Sequence, residues 1–519
     1  MGRRQTEDFS IAMNLSLVGV GATLQPEDGY CKIRDLVPGG PAARSKLLKI
    51  GDRIVAVAQD GKTPVDVVDM PLPEAVGLIR GAKGTVVRLT IIPADSADSS
   101  VRKTITLVRD EIKLEDQEAK ARIVDLDGNG GQVSRFGIVE LPSFYSGSDN
   151  PKHPGHKSAT ADVARLIEKL KQENVRGIIL DLRRNGGGSL EEAISLTGLF
   201  IKKGPVVQTK DADGDVHVES DPDASVLYDG PLVVLTSQLS ASASEILTGA
   251  LQDYGRALVI GDPRTYGKGT VQSMLSLAAV MHRVGLPVHD DPGSLKVTIR
   301  KFYRPDGGST QLKGVASDIV LPSLTSALKL GEAEMADPLP WDTVPAARHA
   351  QLDRVAPWLA ALRDASAKRI AADKEFSWLR EDSERIKAQL ANPIVSLNEK
   401  QRCQEKAETE ARAEARSKDR ASRQSSHEKL YEITVKNADQ PGLPAPLSAI
   451  NQSQQPEDLG TDAETPDHPR AGKDLAGDST LEETERILLD YIGLLEAPTN
   501  STVARHIPGR SASDAGSLR

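Results

Sequence analysis

The sequence predicts a multidomain α/β + β-rich protein: a small β-rich module, an α/β core on a mostly parallel sheet, and a helical C-terminal region. Three observations carry that expectation. The chain has 519 residues, more than one hydrophobic core ordinarily serves. Its middle alternates apolar strand-like runs with amphipathic helix patterns, the signature of βαβ units. Its later part turns charged and helical in pattern.

The β-rich module, residues 15–108, follows an N-terminal segment, 1–14. Short β-type runs at Tyr30–Leu36, Arg53–Ala58, Val86–Ile92 and Lys103–Val108 are punctuated by glycine, as strands and turns are. Pro71–Arg80 interrupts them with a helical pattern and a proline suited to a helix start. In the core, 109–328, the expected order is strand Gly177–Leu182, helix Leu190–Ile201, strand Leu232–Thr236, helix Ser244–Tyr254 and strand Arg256–Ile260. Their continuous apolar character fits strands covered on both faces. Residues 329–436 read as helical, with Lys400–Arg423 nearly all polar. Residues 437–479 read as a linker, rich in Pro, Gly, Asp and Gln. A last helix over 480–497 opens with a capping box of Thr480 and Glu483, and 498–519 reads as a disordered tail.

Composition removes several function classes. No apolar run approaches the roughly 18–20 residues that span a bilayer, so an integral membrane protein is excluded. Met1–Ser10 has two arginines but no apolar stretch behind them, which is not a secretory signal. With 65 basic and 74 acidic residues the net charge is −9, which argues against nucleic acid as a main partner. Two cysteines, Cys31 and Cys403, make neither a disulfide scaffold nor a cysteine-based zinc site. His153 and His156, in HPGH, have a spacing that could ligate a metal, but the flanking Pro and Gly read as a loop and no further ligands cluster nearby. No metal, nucleotide or other cofactor is expected.

The segment Leu239–Gln272, LSASASEILTGALQDYGRALVIGDPRTYGKGTVQ, is the richest in chemistry. A buried strand ends, small residues turn sharply, and a helix begins. Such a junction presents a hydroxyl beside backbone N–H groups and a positive helix end, the pairing a hydrolase needs. Ser240, Ser242 and Ser244 compete for the role, and spacing does not choose between them; ordinary close packing with N-capping is the plainer alternative. None of the nine histidines lies in this segment. Lys268, between glycines, is the better base, provided burial strips its charge. Gly-Lys-Gly-Thr is not a Walker A loop, because Gly269 stands where Ser or Thr must follow the lysine. A second glycine cluster, Asp181–Ser189 (DLRRNGGGS), follows a strand and precedes a helix; its amides suit an anion, and a plain turn is the alternative. In the β-rich module, LVGVGA at 17–22 precedes a short strand, where a loop can hold a terminal carboxylate while the strand edge adds a peptide.

These motifs resemble a known family. GPAARSKLLKIGDRIVAV is similar to a PDZ signature. ELPSF, IILDLRRNGGG, SASASEI, QDYGRAL and YGKGTVQ, in that order, resemble the C-terminal processing peptidases of family S41. PWDT, KEF and NPIVSLNE further on are similar to the periplasmic tail-specific members. The resemblance implies a PDZ domain, a ClpP/crotonase-like Ser/Lys protease core and a helical C-terminal part. It makes Ser242 the nucleophile, Lys268 the general base and Gln272 its orienting partner. It assigns the oxyanion hole to the Ala243 and Gly188 amides, with Asp253 and Glu245 in support. It gives the PDZ peptide groove to Gly19, Val20, Gly21, Ala22, Leu24 and Leu78. The implied partners are unfolded or tail-exposed proteins with apolar C-termini, plus a lipoprotein adaptor, in the periplasm. Two departures stand out. IGDPRT ahead of the lysine is one residue longer than in some relatives, and the chain opens on the PDZ-like module without the long N-terminal helical region and export signal of the tail-specific members. A catalytically dead PDZ scaffold and, more remotely, a crotonase-type acyl enzyme are the rival readings.

Overall fold

A computed structural model describes residues 1–96, 98, 100–127, 133–147, 157–288, 292–422, 429–447 and 478–497. His153 and His156, most of the expected linker and the expected tail lie outside the described residues.

The core is built on a seven-stranded sheet. Its strands run, from one edge to the other, Ile319–Val320, Leu258–Gly261, Leu232–Thr236, Ile178–Asp181, Val133–Glu140, Lys120–Asp127 and Lys429–Thr434. The first five are mutually parallel; the last two pair antiparallel. The apolar runs alternate between two cores. Ile178, Leu180, Leu232 and Val234 face helices Ala159–Gln172, Leu190–Gly198 and Ala243–Asp253. Ile179, Val233 and Leu235 face the other way, onto Leu362, Phe376, Leu488 and Tyr491 of the C-terminal helices Leu359–Ala372, Lys374–Ala391 and Ser479–Glu496. That two-sided cover is why these strands carry no polar face.

The C-terminal region therefore does more than the charged pattern suggests. It supplies the second covering layer, and Lys429–Thr434 closes an edge of the core sheet. Within the expected helical region, 329–358 is mostly irregular, with short 3₁₀ turns, and helices fill most of 359–422. Lys400–Arg423 resolves as helix Glu399–Ser422. The last helix is not opened by Thr480 and Glu483. Asp478 is its N-cap, accepting from the Leu481 amide at 3.0 Å, while Glu483 is buried and pairs with Arg369 at 2.9 Å.

A second, four-stranded antiparallel sheet packs on the first helix layer, ordered Val216–Asp221, Gly204–Lys210, Ser294–Tyr303, Thr270–Ser276. Val207 and Phe302 join it to the core. The PDZ-like module has its own sheet, ordered Ala22–Glu27, Tyr30–Leu36, Arg53–Gln59, Val86–Ile92, Lys103–Val108, around a separate apolar cluster that includes Cys31. Strands Ser16–Gly19 and Asp110–Lys113 form an antiparallel ribbon that carries this module to the core, where Leu15 is buried. Cys31 is buried and Cys403 exposed, and both are free.

Candidate active site

The strand Leu232–Thr236 delivers the chain to a turn, and the helix Ala243–Asp253 takes it away. Ser242 is the last residue before that helix, with φ 57° and ψ −111°. A non-glycine residue in such a conformation costs about 1–3 kcal/mol, a cost that recurs at functional sites. The neighbouring serines are spoken for. Ser240 and Ser244 are fully buried; Ser240 Oγ donates to the Leu182 carbonyl at 2.8 Å and Ser244 Oγ to the Asn185 carbonyl at 2.8 Å. Their hydroxyls stitch the serine turn to the glycine-rich loop. Of the three, only Ser242 faces the large cavity of ≈ 1430 Å³ beside the turn.

The glycine loop comes equally close. A Cβ on Gly187 (φ +107°) would sit 2.8 Å from Ser242 Cβ, and one on Gly188 (φ +149°) would sit 2.3 Å from the Phe144 carbonyl oxygen. Only glycine lets the main chain pass there. Phe144 receives Gly187 and Ser189 as a parallel strand would: its amide donates to the Gly187 carbonyl at 2.9 Å and its carbonyl accepts from Ser189 at 2.8 Å. The Gly188 N–H is thereby turned away from Phe144. Neither it nor the Ala243 N–H, the first of the helix, finds an acceptor among the described residues. Both residues line the cavity with Ser242.

Lys268 arrives from the loop before strand Thr270–Ser276. Its amide donates to Glu245 Oε2 at 3.0 Å, and its carbonyl accepts from Thr310 Oγ1 at 2.9 Å. Its amine donates to Gln272 Oε1 at 3.3 Å and forms no hydrogen bond to Ser242 among the described residues. Burial, aided by the Lys296 ammonium, holds its pKa below the ordinary lysine value, against weaker pulls from Glu332 and Glu245. Lys268, Gln272 and Lys296 line the same cavity as Ser242.

Glu245 joins the two halves. It is fully buried, and its carboxylate accepts from the amides of Ser242 (2.8 Å), Gly267 (2.7 Å) and Lys268 (3.0 Å) and from Thr265 Oγ1 (2.6 Å). Burial pushes its pKa up to about 7, and these four donors pull against that rise. Asp253 lies at the far end of the helix, outside the cavity. It pairs with Arg304 and accepts from the Asp306 amide at 3.1 Å; burial raises its pKa despite Arg304. It braces the helix from behind.

The proposed peptide groove is a separate place. Gly19, Val20 and Gly21 are buried, and Ala22 and Leu24 lie on the edge strand Ala22–Glu27. Leu78 sits on helix Leu72–Ile79, which packs near that strand. The ribbon links groove and cavity: its Ser16, Glu111 and Lys113 line the cavity wall, as do Phe9 and Met13 of helix Arg3–Asn14. Sequence reasoning did not find Lys296, Thr265 or Glu332. Lys296 reaches the site only through strand pairing, opposite Met274, and no spacing rule signals that. Among the described residues no group of three or more His, Cys, Asp or Glu side chains is placed to hold a metal ion, and no helix is long and apolar enough to cross a membrane.

Comparison with known proteins finds three successive family matches along the chain. Residues 9–92 match the PDZ domain model, 135–321 Peptidase family S41, and 325–493 the C-terminal domain of tail specific protease. Fold and matches together define a chain with a PDZ domain and a peptidase family S41 core. The Tail-specific protease of Haemophilus influenzae is 42% identical over 405 residues, 78% of this chain and 55% of that protein. Carboxyl-terminal-processing peptidase 2, chloroplastic, of Arabidopsis thaliana is 32% identical over 322 residues, 62% and 55% of the respective chains. The Carboxy-terminal-processing protease of Bartonella bacilliformis is 32% identical over 342 residues, covering 64% of this chain and 70% of its own. The chain belongs to peptidase family S41, the carboxyl-terminal-processing proteases. It spans little more than half the length of the Haemophilus and Arabidopsis relatives.

Proposed function

We propose that the chain is an ATP-independent serine endopeptidase that takes proteins by exposed apolar C-termini through its PDZ groove and cuts them with Ser242 and Lys268. One observation carries the assignment of the serine. Ser240 and Ser244 are buried and committed to the glycine loop, whereas Ser242 shares a cavity with Lys268 and with the Gly188 and Ala243 amides, which find no acceptor among the described residues.

The chemistry follows from those groups. Neutral Lys268 turns from Gln272 to Ser242 and takes the hydroxyl proton as Oγ attacks the peptide carbonyl. The Gly188 and Ala243 amides donate to the oxyanion, aided by the positive helix end. Lys268 returns the proton to the leaving amine. Water, deprotonated by the same lysine, then releases the acyl group. The groove between Ala22–Glu27 and Leu72–Ile79 would add the substrate tail as a further strand, and the ribbon would lead it to the cavity. A periplasmic setting and a lipoprotein adaptor belong to the same proposal, by resemblance to the tail-specific members.

The test is cleavage of an unfolded polypeptide with an apolar C-terminus by the unmodified chain and by Ser242→Ala and Lys268→Ala. Each substitution is expected to lower kcat by roughly 10³-fold or more with the thermal midpoint retained. Normal cutting by both variants contradicts the assignment. Tight tail binding without cleavage by the unmodified chain favours the scaffold reading.

A further inference from the structure

We propose that Asp478, the N-cap of the C-terminal helix, is a positioning residue that sets the glycine-rich loop through Arg183. The proposal rests on the peptidase reading only for its consequence in catalysis; its structural claim stands apart from it.

Arg183 opens the loop, directly after strand Ile178–Asp181 and Leu182. Its guanidinium is held between two carboxylates. Nε donates to Asp181 Oδ1 at 3.0 Å and Nη2 to Asp181 Oδ2 at 2.7 Å. On its other side Nη1 donates to Asp478 Oδ1 at 2.9 Å and Nη2 to Asp478 Oδ2 at 2.7 Å. Two forked contacts of this kind fix a guanidinium in orientation as well as place. Asp181 is a near neighbour in the chain. Asp478 comes from 295 residues away, across the sheet in the C-terminal layer.

The position of Arg183 is passed directly to the site. Its carbonyl accepts from Ser237 Oγ at 2.5 Å. The next turn of the loop is tied at the Asn185 carbonyl to the Ala241 amide, at 3.1 Å, and to Ser244 Oγ. The Asn185 side chain accepts from the Gly187 amide at 2.9 Å. A shift at Arg183 thus displaces the peptide that carries the Gly188 N–H and strains the turn that carries Ser242. Oxyanion donors are sensitive to small displacements, because their strength depends on pointing at the oxygen of the transition state.

Asp478 also starts the helix, through Leu481. Docking of that helix and setting of the loop are therefore one event at one carboxylate. The helix has other anchors remote from the loop: Arg369 pairs with Glu483 and, at 2.7 Å, with Asp490, and Leu481, Ile487, Leu488, Tyr491 and Ile492 are buried in the core. These allow the two roles to be separated by substitution.

The experiment uses the full chain and the variants Asp478→Asn, Asp478→Glu and Asp490→Asn. Asparagine still caps a helix but cannot fork the guanidinium as a carboxylate does. Two readouts are taken: kcat and KM on a tail-bearing polypeptide, and hydrogen exchange of the segment 183–190. Asp478→Asn is expected to lower kcat roughly ten-fold with KM and the thermal midpoint little changed, and to speed exchange in 183–190. Asp478→Glu should recover most of both, and Asp490→Asn should leave both unchanged. The proposal is overturned if Asp478→Asn leaves kcat and loop exchange as they were, or if Asp490→Asn reproduces its losses. Should the unmodified chain not cleave, the peptidase reading fails by itself, and loop exchange alone decides whether Asp478 sets the loop.

Discussion

Ser242 and Lys268 face one cavity, but the chain holds them differently. The serine is locked through its backbone: a strained φ, an amide bound to Glu245, and two flanking hydroxyls bound to the glycine loop. The lysine is locked only as far as its backbone. Beyond that, its amine has one long hydrogen bond among the described residues, to the exposed Gln272. In the proposed mechanism the nucleophile is thus pre-set, and the proposed base is the adjustable partner, whose charge and direction depend on what surrounds the cavity. A peptide filling the cavity would remove water from the amine and favour its neutral form.

Breaking the link between the halves should have the largest effect. Glu245→Gln replaces an acceptor of four donors with a group that must itself donate. It is expected to lower cleavage by more than about 100-fold and stability by about 2–4 kcal/mol, measured by kinetics and by denaturant unfolding. Gly187→Ala attacks the pre-set half alone. The added methyl would press on Ser242 Cβ, and kcat should fall roughly 10²-fold with tail binding to the PDZ groove unchanged by titration.

Lys296→Gln probes the adjustable half, with the smallest effect. A neutral base is needed, so cleavage should rise with pH through the Lys268 pKa and level off above it. Removing the neighbouring positive charge raises that pKa. The rising limb should then move to higher pH, and the rate near neutrality should fall roughly 2–5-fold with the plateau kept. A limb that stays in place, or moves to lower pH, contradicts the role given to Lys296.

How far the sequence could be read follows from the range of the interactions. The core strands at Leu232–Thr236 and around Ile178 were legible because both faces are buried, so no polar residue breaks their runs. Lys429–Thr434 was not: it is short and mixed in polarity, with charged Lys429 and Glu432 beside Leu430, Tyr431 and Ile433, it follows a charged helix, and it pairs with Lys120–Asp127 some 300 residues earlier in the chain. In the site, the residue types and the two loops were legible from local pattern. The choice among the three serines was not, because what removes Ser240 and Ser244 from contention are carbonyls of Leu182 and Asn185, 58 and 59 residues away. The cap at Asp478 was missed for a like reason: Thr480 and Glu483 fit a local box, but Glu483 is drawn off by Arg369 from another helix.

The central claim is that Lys268 stands ready to accept a proton from Ser242. Its most direct test is the titration of the Lys268 side chain in the intact protein by ¹³C NMR, assigned by difference against Lys268→Met. The account predicts a pKa below the ordinary lysine value, rising in Lys296→Gln. A Lys268 that titrates at or above that ordinary value, with or without a bound peptide, would contradict it.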